Sequence, residues 1–451
     1  MDISIIAATN PWWRDVSAID RDNHVKRLES SKVIYEPLKD IEFCPGIYTL
    51  RGMRQIGKTT TMKMLIRRLL KDYGVNGGCV TYISVELIDD YKQLYELVKL
   101  VIDYMRTKDC QNMYLFLDEV SFVPQWQRAI KFLWDTGDME NVFLMVSGSS
   151  AYDIVRGKER LPGRRGSGKD YVLLPLYPRL LSHAIGQGAV DSIGIEDILH
   201  MNKQDLDMLA MDLANLKGIW NMFIEVGGIP MIVDAFLKGE NIDRYTDVLW
   251  DIVVGDIERF DKDRVYVKNI LSVICKVLGQ RFSYNKKAPD SGVSAPTFKS
   301  YIQLLAMNYI LGVLYFYDIN MKRPKETKQK KVYFHDMFLI RTVCNKMLSH
   351  YFSEGALYEN AMYQSMVHLF DVTEGLLHVS GPYYWYSDKG KEVDFLAGDI
   401  PIEVKYQTNI TPSDYITIKR VWGRGIVITK DTIFRDGDIV GIPAWLFSLV
   451  I

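Results

Sequence analysis

The sequence lacks closely spaced cysteines and an excess of charge of either sign. Five cysteines lie far apart with no Cys-x-x-Cys pair, so neither a disulfide framework nor a zinc site is indicated, and a reducing compartment fits best. Lys and Arg total 55 against 56 Asp and Glu, so the molecule as a whole has no field that would attract nucleic acid. Any site for a polyanion must therefore be a local patch.

Long apolar runs are also absent, and glycine and proline are not enriched. The apolar run at 309–317 is far shorter than the roughly 20 residues that a membrane span needs. Gly and Pro number 32 and 15 among 451 residues, which excludes collagen-like and low-complexity chains. The N-terminal sequence MDISIIAATNPWW has an acid at position 2 and does not resemble a secretory signal. We expect a globular, cytoplasmic protein with no membrane contact.

Strand-length apolar runs alternate with amphipathic helical stretches in the first part of the chain. The apolar runs are 47–50, 79–85, 113–117, 142–146 and 171–174, and the main helical stretches are 58–73 and 91–105. This alternation predicts an α/β fold with a parallel sheet covered on both faces.

The pattern changes along the chain and predicts five segments. Residues 1–45 mix charges with aromatic residues and are expected to form an N-terminal strap on the next domain. Three helical stretches followed by two β-rich runs after residue 261 are typical of a winged helix. The other boundaries are 46–185 for the α/β core, 186–260 for a helical lid or connector, 261–345 for the winged-helix domain and 346–451 for a small α/β domain.

A phosphate-binding loop is the strongest signal in the sequence. Residues 52–59 match GxxxxGK[ST] and lie between a predicted strand and a predicted helix, as the motif requires. The glycines let backbone N–H groups face a phosphate, Lys58 would bridge the β- and γ-phosphates, and Thr59 would hold Mg2+. The candidate nucleotide-binding residues are Gly52, Met53, Arg54, Gln55, Ile56, Gly57, Lys58, Thr59 and Thr60.

Two acids follow the third apolar run, where a P-loop enzyme needs a carboxylate. Asp118 would coordinate the magnesium ion through water, and Glu119 would accept a proton from the attacking water. The fourth run ends in SGSS at 147–150, where Ser147 would sense the γ-phosphate. These residues predict binding of ATP or GTP with Mg2+ and slow hydrolysis.

A basic, Gly-rich loop at 161–166 supplies two candidate catalytic arginines. Arg164 and Arg165 would act as arginine fingers on their own subunit or on a neighbouring one. A solvated basic loop explains the same residues equally well.

These motifs resemble those of archaeal and bacterial AAA-type ATPases that carry a C-terminal domain of unknown function. The resemblance is carried by NPWW, RGMRQIGKTT, LDEV followed by QW, SGSS, and LPGRRG before LPL, and it spans essentially the whole chain. It implies a P-loop core in which an additional strand separates the acid strand from the phosphate-loop strand. It also implies a helical lid, a winged helix and a restriction-endonuclease-like terminal domain.

A cluster of cations lies between the two β-rich runs, at the expected tip of the wing. Such a hairpin suits contact with DNA phosphates, and residues 294–311 would be the recognition helix. A solvated loop or a protein-docking wing explains the cluster as well. The cations are Lys322, Arg323, Lys325, Lys328, Lys330 and Lys331.

Residues 391–405 alternate polar and apolar side chains around a Gly-Asp turn and predict a β-hairpin. With a two-residue turn, Asp394 lies opposite Glu403, and Glu392 lies opposite Lys405, all on one face. Two carboxylates at that spacing repel unless a cation lies between them, so the register calls for a metal ion or a lysine.

The same hairpin resembles the PD-(D/E)XK nuclease core, although Val393 stands where the strict motif has proline. The resemblance implies Mg2+ bound by Asp394 and Glu403, a water or phosphate held by Lys405, a further carboxylate from Glu359 and an auxiliary contact from Gln407. A salt-bridged hairpin without catalysis, and a nuclease fold kept only for binding, remain as alternatives.

Two hypotheses for function follow from the sequence. The first is an ATPase directed to nucleic acid, in which nucleotide state repositions the wing and the terminal domain on DNA. The second is a regulatory switch in which ATP binding exposes a docking surface for a protein partner or a second copy of the chain, with an inactive nuclease-like domain. Nothing in the sequence favours a transport ATPase.

Overall fold

The computed structural model describes residues 2–150, 163–260, 262–347, 353–370 and 381–451. The described residues form two compact units. The first contains the described residues up to Leu174, and the second contains those from Pro175 onward.

The first unit is built on a parallel sheet whose strand order is β2-β3-β4-β1-β5. Every residue of β1, β3 and β4 is buried, as expected for a sheet covered on both faces. β4 lies between β1 and β3 and pairs with both, so the expected additional strand is confirmed. The strands are β1 (Gly46–Arg51), β2 (Val80–Ser84), β3 (Met113–Asp118), β4 (Val142–Gly148) and β5 (Asp170–Val172).

Three helices in this unit follow strands β1, β2 and β3. They are α3 (Lys58–Lys71), α4 (Tyr91–Arg106) and α5 (Trp126–Asp135). α3 buries Met62, Leu65, Ile66 and Leu69, the face with i, i+3, i+4 spacing that packs on a sheet. Asp90 begins α4 by accepting hydrogen bonds from the N–H groups of its first turn.

The N-terminal segment contains α1 (Ile3–Thr9), which lies against β2 at the edge of the sheet, and α2 (Asn23–Glu29), which packs on α3. The Asn10 side chain accepts from Tyr82 N (2.6 Å) and donates to Tyr82 O (2.9 Å). The indole N–H groups of Trp12 and Trp13 both donate to Val80 O. These contacts cover backbone groups that an edge strand otherwise leaves open to pairing with another chain.

Cys79 and Cys110 form a disulfide, which the sequence did not indicate. Cys79 directly precedes β2, and Cys110 lies three residues before β3. β2 and β3 are parallel neighbours, so the residues that precede them meet at one edge of the sheet. A separation of 31 residues hid this proximity in the sequence.

The second unit begins with helices, as the helical periodicity up to residue 260 predicts. The helices are α6 (Pro178–Ala184), α7 (Ile195–His200), α8 (Lys203–Asp212), α9 (Lys217–Val226), α10 (Pro230–Leu237) and α11 (Arg244–Glu258). No single described helix is long and apolar enough to cross a membrane; only the bent pair Ala214–Val226 and Pro230–Leu237 meets that test, and only when taken together.

The remaining elements alternate helices with strands. The helices are α12 (Arg264–Val277), α13 (Tyr284–Lys287), α14 (Ala295–Met307), α15 (Met337–Lys346), α16 (Glu354–Met366), α17 (Ile416–Val421) and α18 (Ala444–Val450). The strands are β6 (Leu311–Asp318), β7 (Arg323–Phe334), β8 (Tyr383–Tyr386), β9 (Glu392–Ala397), β10 (Ile400–Lys405), β11 (Arg424–Thr429), β12 (Phe434–Asp436) and β13 (Asp438–Pro443).

All of these strands belong to one mixed sheet with the order β12-β13-β11-β10-β9-β8-β6-β7. β6 and β7 form the antiparallel hairpin of the predicted wing, and β6 joins β8 through the pair Phe316 and Tyr384. The boundary predicted at 345/346 therefore falls within a single sheet rather than between two cores.

A buried aspartate joins three parts of the second unit. Asp336 caps α15 by accepting from Phe338 N (2.8 Å), and it also accepts from Gly228 N (2.6 Å) and from Gln364 Nε2 (3.2 Å). Gly228 O accepts from Leu176 N, and a Cβ on Gly228 would lie 1.7 Å from Leu176 O. Only glycine fits there, so the loop between α9 and α10 is held by its backbone against Asp336 and Leu176.

Candidate functional site

The phosphate loop, residues 52–57, lies between β1 and α3 where the sequence predicts it. Gly52 and Gly57 have φ of 146° and 112°, which side chains other than glycine rarely allow. A Cβ on Gly52 would also lie 2.4 Å from Leu173 O. The loop therefore leads directly into the amino end of a 14-residue helix, the arrangement that binds phosphate.

Lys58 is folded back over this loop. Its Nζ donates to Gly52 O (3.0 Å) and Met53 O (3.1 Å) and lies 3.8 Å from Glu119 Oε1. The side chain is 4% exposed, so its charge is held inside the loop and not at a solvated tip. A triphosphate placed over the loop would lie within reach of this ammonium.

Asp118, at the end of β3, is the centre of a hydrogen-bond network beside the loop. Its Oδ2 accepts from Thr59 Oγ1 (2.7 Å) and from Tyr82 Oη (2.8 Å), and its Oδ1 accepts from Ser147 Oγ. A hydroxyl and a carboxylate held together are oxygen donors of the kind that Mg2+ prefers. The donor set of Thr59 and Asp118 therefore fits the expected magnesium ion.

Sequence reasoning missed Tyr82, which lies on β2 next to the acid strand. Burial, and then the negative charge of Asp118, raise the pKa of Tyr82 well above its ordinary value. Tyr82 therefore stays a neutral donor that holds the Asp118 carboxylate. A tyrosine within an apolar strand next to the acid strand was the available signal.

Glu119 has a left-handed backbone with φ of 60°, which is uncommon outside glycine and asparagine. Its N–H donates to Ser147 Oγ (3.0 Å), and Ser121 Oγ donates to its Oε2 (3.4 Å). Ser147, predicted to sense the γ-phosphate, therefore ties Asp118 to Glu119. Ser149, at the end of the same SGSS run, has a buried Oγ that lacks a hydrogen-bond partner within the described ranges, and it is a second candidate for that sensing role.

Arg164 and Arg165 lie where the strands of the sheet begin, whereas the phosphate loop lies where they end. The prediction that these arginines reach the phosphate of their own chain is therefore wrong. Arg165 O accepts from Ile47 N at the start of β1, whereas the phosphate loop follows the end of β1, about 17 Å away at 3.3 Å per residue. Arg164 pairs with Asp135, and Arg165 pairs with Asp170. Because β5 runs parallel to β1, the residues that precede β5 must lie at the end of the sheet where the strands begin.

A small cleft open to solvent lies along the first three turns of α3. Tyr35, Leu38 and Met64 supply apolar lining, and Thr60 lies at the end nearest the phosphate loop. Thr60 Oγ1 is 3.2 Å from His24 Nδ1, which connects this turn to the N-terminal segment.

In the second unit, the β9–β10 hairpin has the predicted register. Ile400 pairs with Ala397 and Ile402 with Phe395, which places Asp394 next to Glu403. Asp394 Oδ2 accepts from Val404 N (2.9 Å), and Glu403 pairs with Lys405. Gln407 does not join this group, since its Nε2 donates to Asn409 O.

Lys331 lies inside the carboxylate cluster, which we define as Glu359, Glu392, Asp394 and Glu403. Its Nζ is 2.8 Å from Glu392 Oε1 and 3.4 Å from Asp394 Oδ1, and it also pairs with Glu359. The Lys331 side chain is fully buried. Its prediction as a DNA contact on the wing is therefore wrong, because this end of β7 lies within the sheet core.

The cluster strongly perturbs its own carboxyl groups. Burial and then the Asp394 charge raise the pKa of Glu403 to about 8 and that of Glu359 to about 7. Burial alone would lower the pKa of Lys331, but the charges of Glu359, Asp394 and Glu392 raise it well above its ordinary value. Lys331 therefore remains an ammonium ion.

The predicted metal site at Glu359, Asp394 and Glu403 is not formed as such. Within the described ranges, no group of three or more His, Cys, Asp or Glu side chains is arranged to hold a metal ion. The register called for a metal ion or a lysine between the carboxylates, and the structure places a lysine there.

Three wing cations remain exposed: Lys322, Arg323 and Lys328. Lys325 pairs with Asp318, which neutralises one cation of the cluster. Lys330 is 8% exposed and donates to Glu326 O and Lys328 O. The surface available to phosphates is smaller than the six cations of the sequence suggest.

Comparison with known proteins agrees with this geometry for the first unit. Residues 45–179 match the family model of an AAA domain, so this part of the chain has an AAA-type P-loop fold. Residues 218–349 and 354–447 match two families described as domains of unknown function, DUF8612 and DUF4143.

The chain is similar to several proteins that are described as uncharacterized. One from Methanocaldococcus jannaschii is 24% identical over 86% of this chain and 81% of its own length, and a second from that organism is 22% identical over 89% and 84%. A Haemophilus influenzae protein is 23% identical over 69% of this chain and 70% of its own length.

Among solved structures, the Aeropyrum pernix Orc1 protein in complex with DNA matches 74% of this chain and 96% of its own, with 14% identity and a TM-score of 0.29. A Thermotoga maritima RuvB variant matches 68% of this chain and 92% of its own, with 16% identity and a TM-score of 0.26.

Proposed function

We propose that the first unit binds ATP with Mg2+ and hydrolyses it. The observation that supports this most directly is the convergence of Lys58, Thr59, Asp118 and Glu119 at one edge of the sheet, beside a loop that leads into a helix. The family model for an AAA domain over residues 45–179 agrees with it.

Each residue has a separable role in this proposal. Lys58 would leave the carbonyls of Gly52 and Met53 for the β- and γ-phosphate oxygens. Thr59 and Asp118 would hold Mg2+, which when bound supplies positive charge to the phosphates. Glu119, oriented by its bond to Ser147, would accept the proton of the attacking water.

Binding measurements with and without Mg2+ test this proposal. Adding Mg2+ is expected to increase the affinity of the wild type for ATP. In Thr59→Val this increase is expected to be about 10- to 100-fold smaller, because one hydrogen bond to a charged group contributes about that much to affinity. Tyr82→Phe, which removes only a donor to Asp118, serves as the milder control. Equal affinity with and without Mg2+ in the wild type would contradict the proposed site.

We propose further that the second unit contacts DNA through the wing. The order of α12, α13, α14, β6 and β7 agrees with a winged helix. Exposed Lys322 and Arg323 lie at the hairpin end of β6 and β7, and exposed Lys328 lies on the bulge of β7 that follows. Exposed Lys299 adds a cation on α14, the expected recognition helix.

Salt dependence distinguishes DNA binding from protein docking. The triple variant K322Q/R323Q/K328Q is expected to bind duplex DNA at least about tenfold more weakly, with the slope of log affinity against log salt reduced by about 3, because each lost phosphate contact contributes about 0.9. K203Q/K238Q/R244Q, which neutralises three exposed cations on helices of the same unit, is the matched control. Equal affinities for both variants would reject the wing as the DNA surface.

A further inference from the structure

The carboxylate cluster draws on three separate elements of the second unit. Glu359 comes from α16, Glu392 and Asp394 come from β9, and Glu403 comes from β10. Each of these side chains is at most 25% exposed. Buried carboxylates at this density need cations nearby, because their desolvation and mutual repulsion both oppose ionisation.

Lysines and an arginine supply those cations. Lys405 pairs with Glu403 on the same strand, and Arg281 Nε lies 2.6 Å from Glu392 Oε2. Lys331 differs from both because it contacts Glu359, Glu392 and Asp394 together and is fully buried. The Lys331 ammonium therefore pairs at once with carboxylates of α16 and of β9.

One oxygen of the cluster has no hydrogen-bond partner. Glu403 is 7% exposed, and its Oε2 is buried and unpartnered within the described residues. Asp394 and Lys331 both interact with its charge. This oxygen is a ligand atom that the present arrangement does not use.

We propose that Lys331 is the resident cation of the carboxylate cluster, occupying the place of a divalent ion, and that replacing it with methionine converts the cluster into a divalent-cation site. The oxygens of Glu392 and Asp394 lie 2.8 and 3.4 Å from Nζ, while hard divalent cations take oxygen ligands at about 2.0–2.6 Å. A small inward movement of these side chains would complete such a site, with Glu403 Oε2 as an additional ligand.

The cluster ties β7, α16 and β9 together through a fixed ammonium, and metal-dependent cleavage of DNA does not occur there. The second unit then serves as a binding module. The inference is independent of whether the first unit hydrolyses ATP.

Titration with Mn2+ tests this inference in the full chain without nucleotide. Free Mn2+ is followed by its electron paramagnetic resonance signal. Lys331→Met keeps the length of the side chain and removes its charge, and it is expected to bind one Mn2+ more than the wild type. The double variant K331M/D394N is expected to lose that ion, and Mn2+ should raise the melting temperature of K331M but not that of the double variant.

A second comparison decides the matter even if K331M fails to fold. The wild type and D394N are expected to bind the same number of Mn2+ ions, because Lys331 excludes metal from both. A wild-type Mn2+ site that D394N loses would overturn the proposal. A folded K331M that binds no additional Mn2+ would overturn it as well.

Discussion

Glu119→Gln is expected to reduce ATP turnover to about 1% of the wild-type rate or less, while ATP binding persists, because positioned bases contribute about 10²- to 10⁴-fold. The amide keeps the size of the side chain but cannot take the proton of the attacking water. The backbone N–H of residue 119 still donates to Ser147 Oγ, so the Asp118 network stays in place. Steady-state phosphate release and equilibrium ATP binding, measured on the same preparation, give the two quantities.

Lys58→Ala is the matched comparison. It removes the ammonium that lies 3.8 Å from Glu119 and faces the loop, so both ATP binding and turnover are expected to fall. If E119Q hydrolysed ATP at the wild-type rate while K58A did not, another group would be the base, and Ser149 or a bound water would need examination.

Asp336→Ala is expected to lower the free energy of unfolding of the second unit by about 2–4 kcal/mol, from a lost helix cap and a buried N–H left unpaired. The carboxylate accepts from Gly228, Phe338 and Gln364, and Asp336 is fully buried. Urea unfolding followed by tryptophan fluorescence measures the change.

Asp263→Ala provides the control, since Asp263 caps α12 by the same kind of bond but is exposed; its loss should cost only about 1 kcal/mol. Burial raises the pKa of Asp336 from 3.8 to about 6, so the folded chain holds this proton more tightly than the unfolded chain. The contribution of Asp336 is then complete below about pH 4 and declines as pH rises through about 6. A larger effect of D336A near pH 7.5 than near pH 4.5 would contradict this assignment.

The sequence predicted the α/β core because each of its helices and strands is determined by residues that are close together along the chain. The alternation of apolar runs and amphipathic helices located β1 to β5, α3 and α4 to within a few residues, and the resemblance supplied the additional strand. The β9–β10 register followed from a two-residue turn and the period of a strand. The phosphate loop was equally local, since its glycines and Lys58 lie within eight residues.

Contacts between distant elements could not be predicted in the same way. Arg164 follows a segment outside the described residues. The pairing of β5 with β1 shows that Arg164 lies at the end of the sheet where the strands begin. Lys331 is one of six cations in a charged run, and its sequence neighbours do not reveal that β7 turns into the core there. Tyr82 required knowledge of which side chain of β2 lies next to Asp118.

The continuity of the mixed sheet limits how this chain can be divided for study. A fragment that starts at residue 346 would lose β6 and β7, leave the side of β8 open, and separate Glu359 and Asp394 from the ammonium of Lys331. The segments matching the two families of unknown function thus contribute strands to one sheet. Binding experiments on this half of the chain should therefore use the complete second unit.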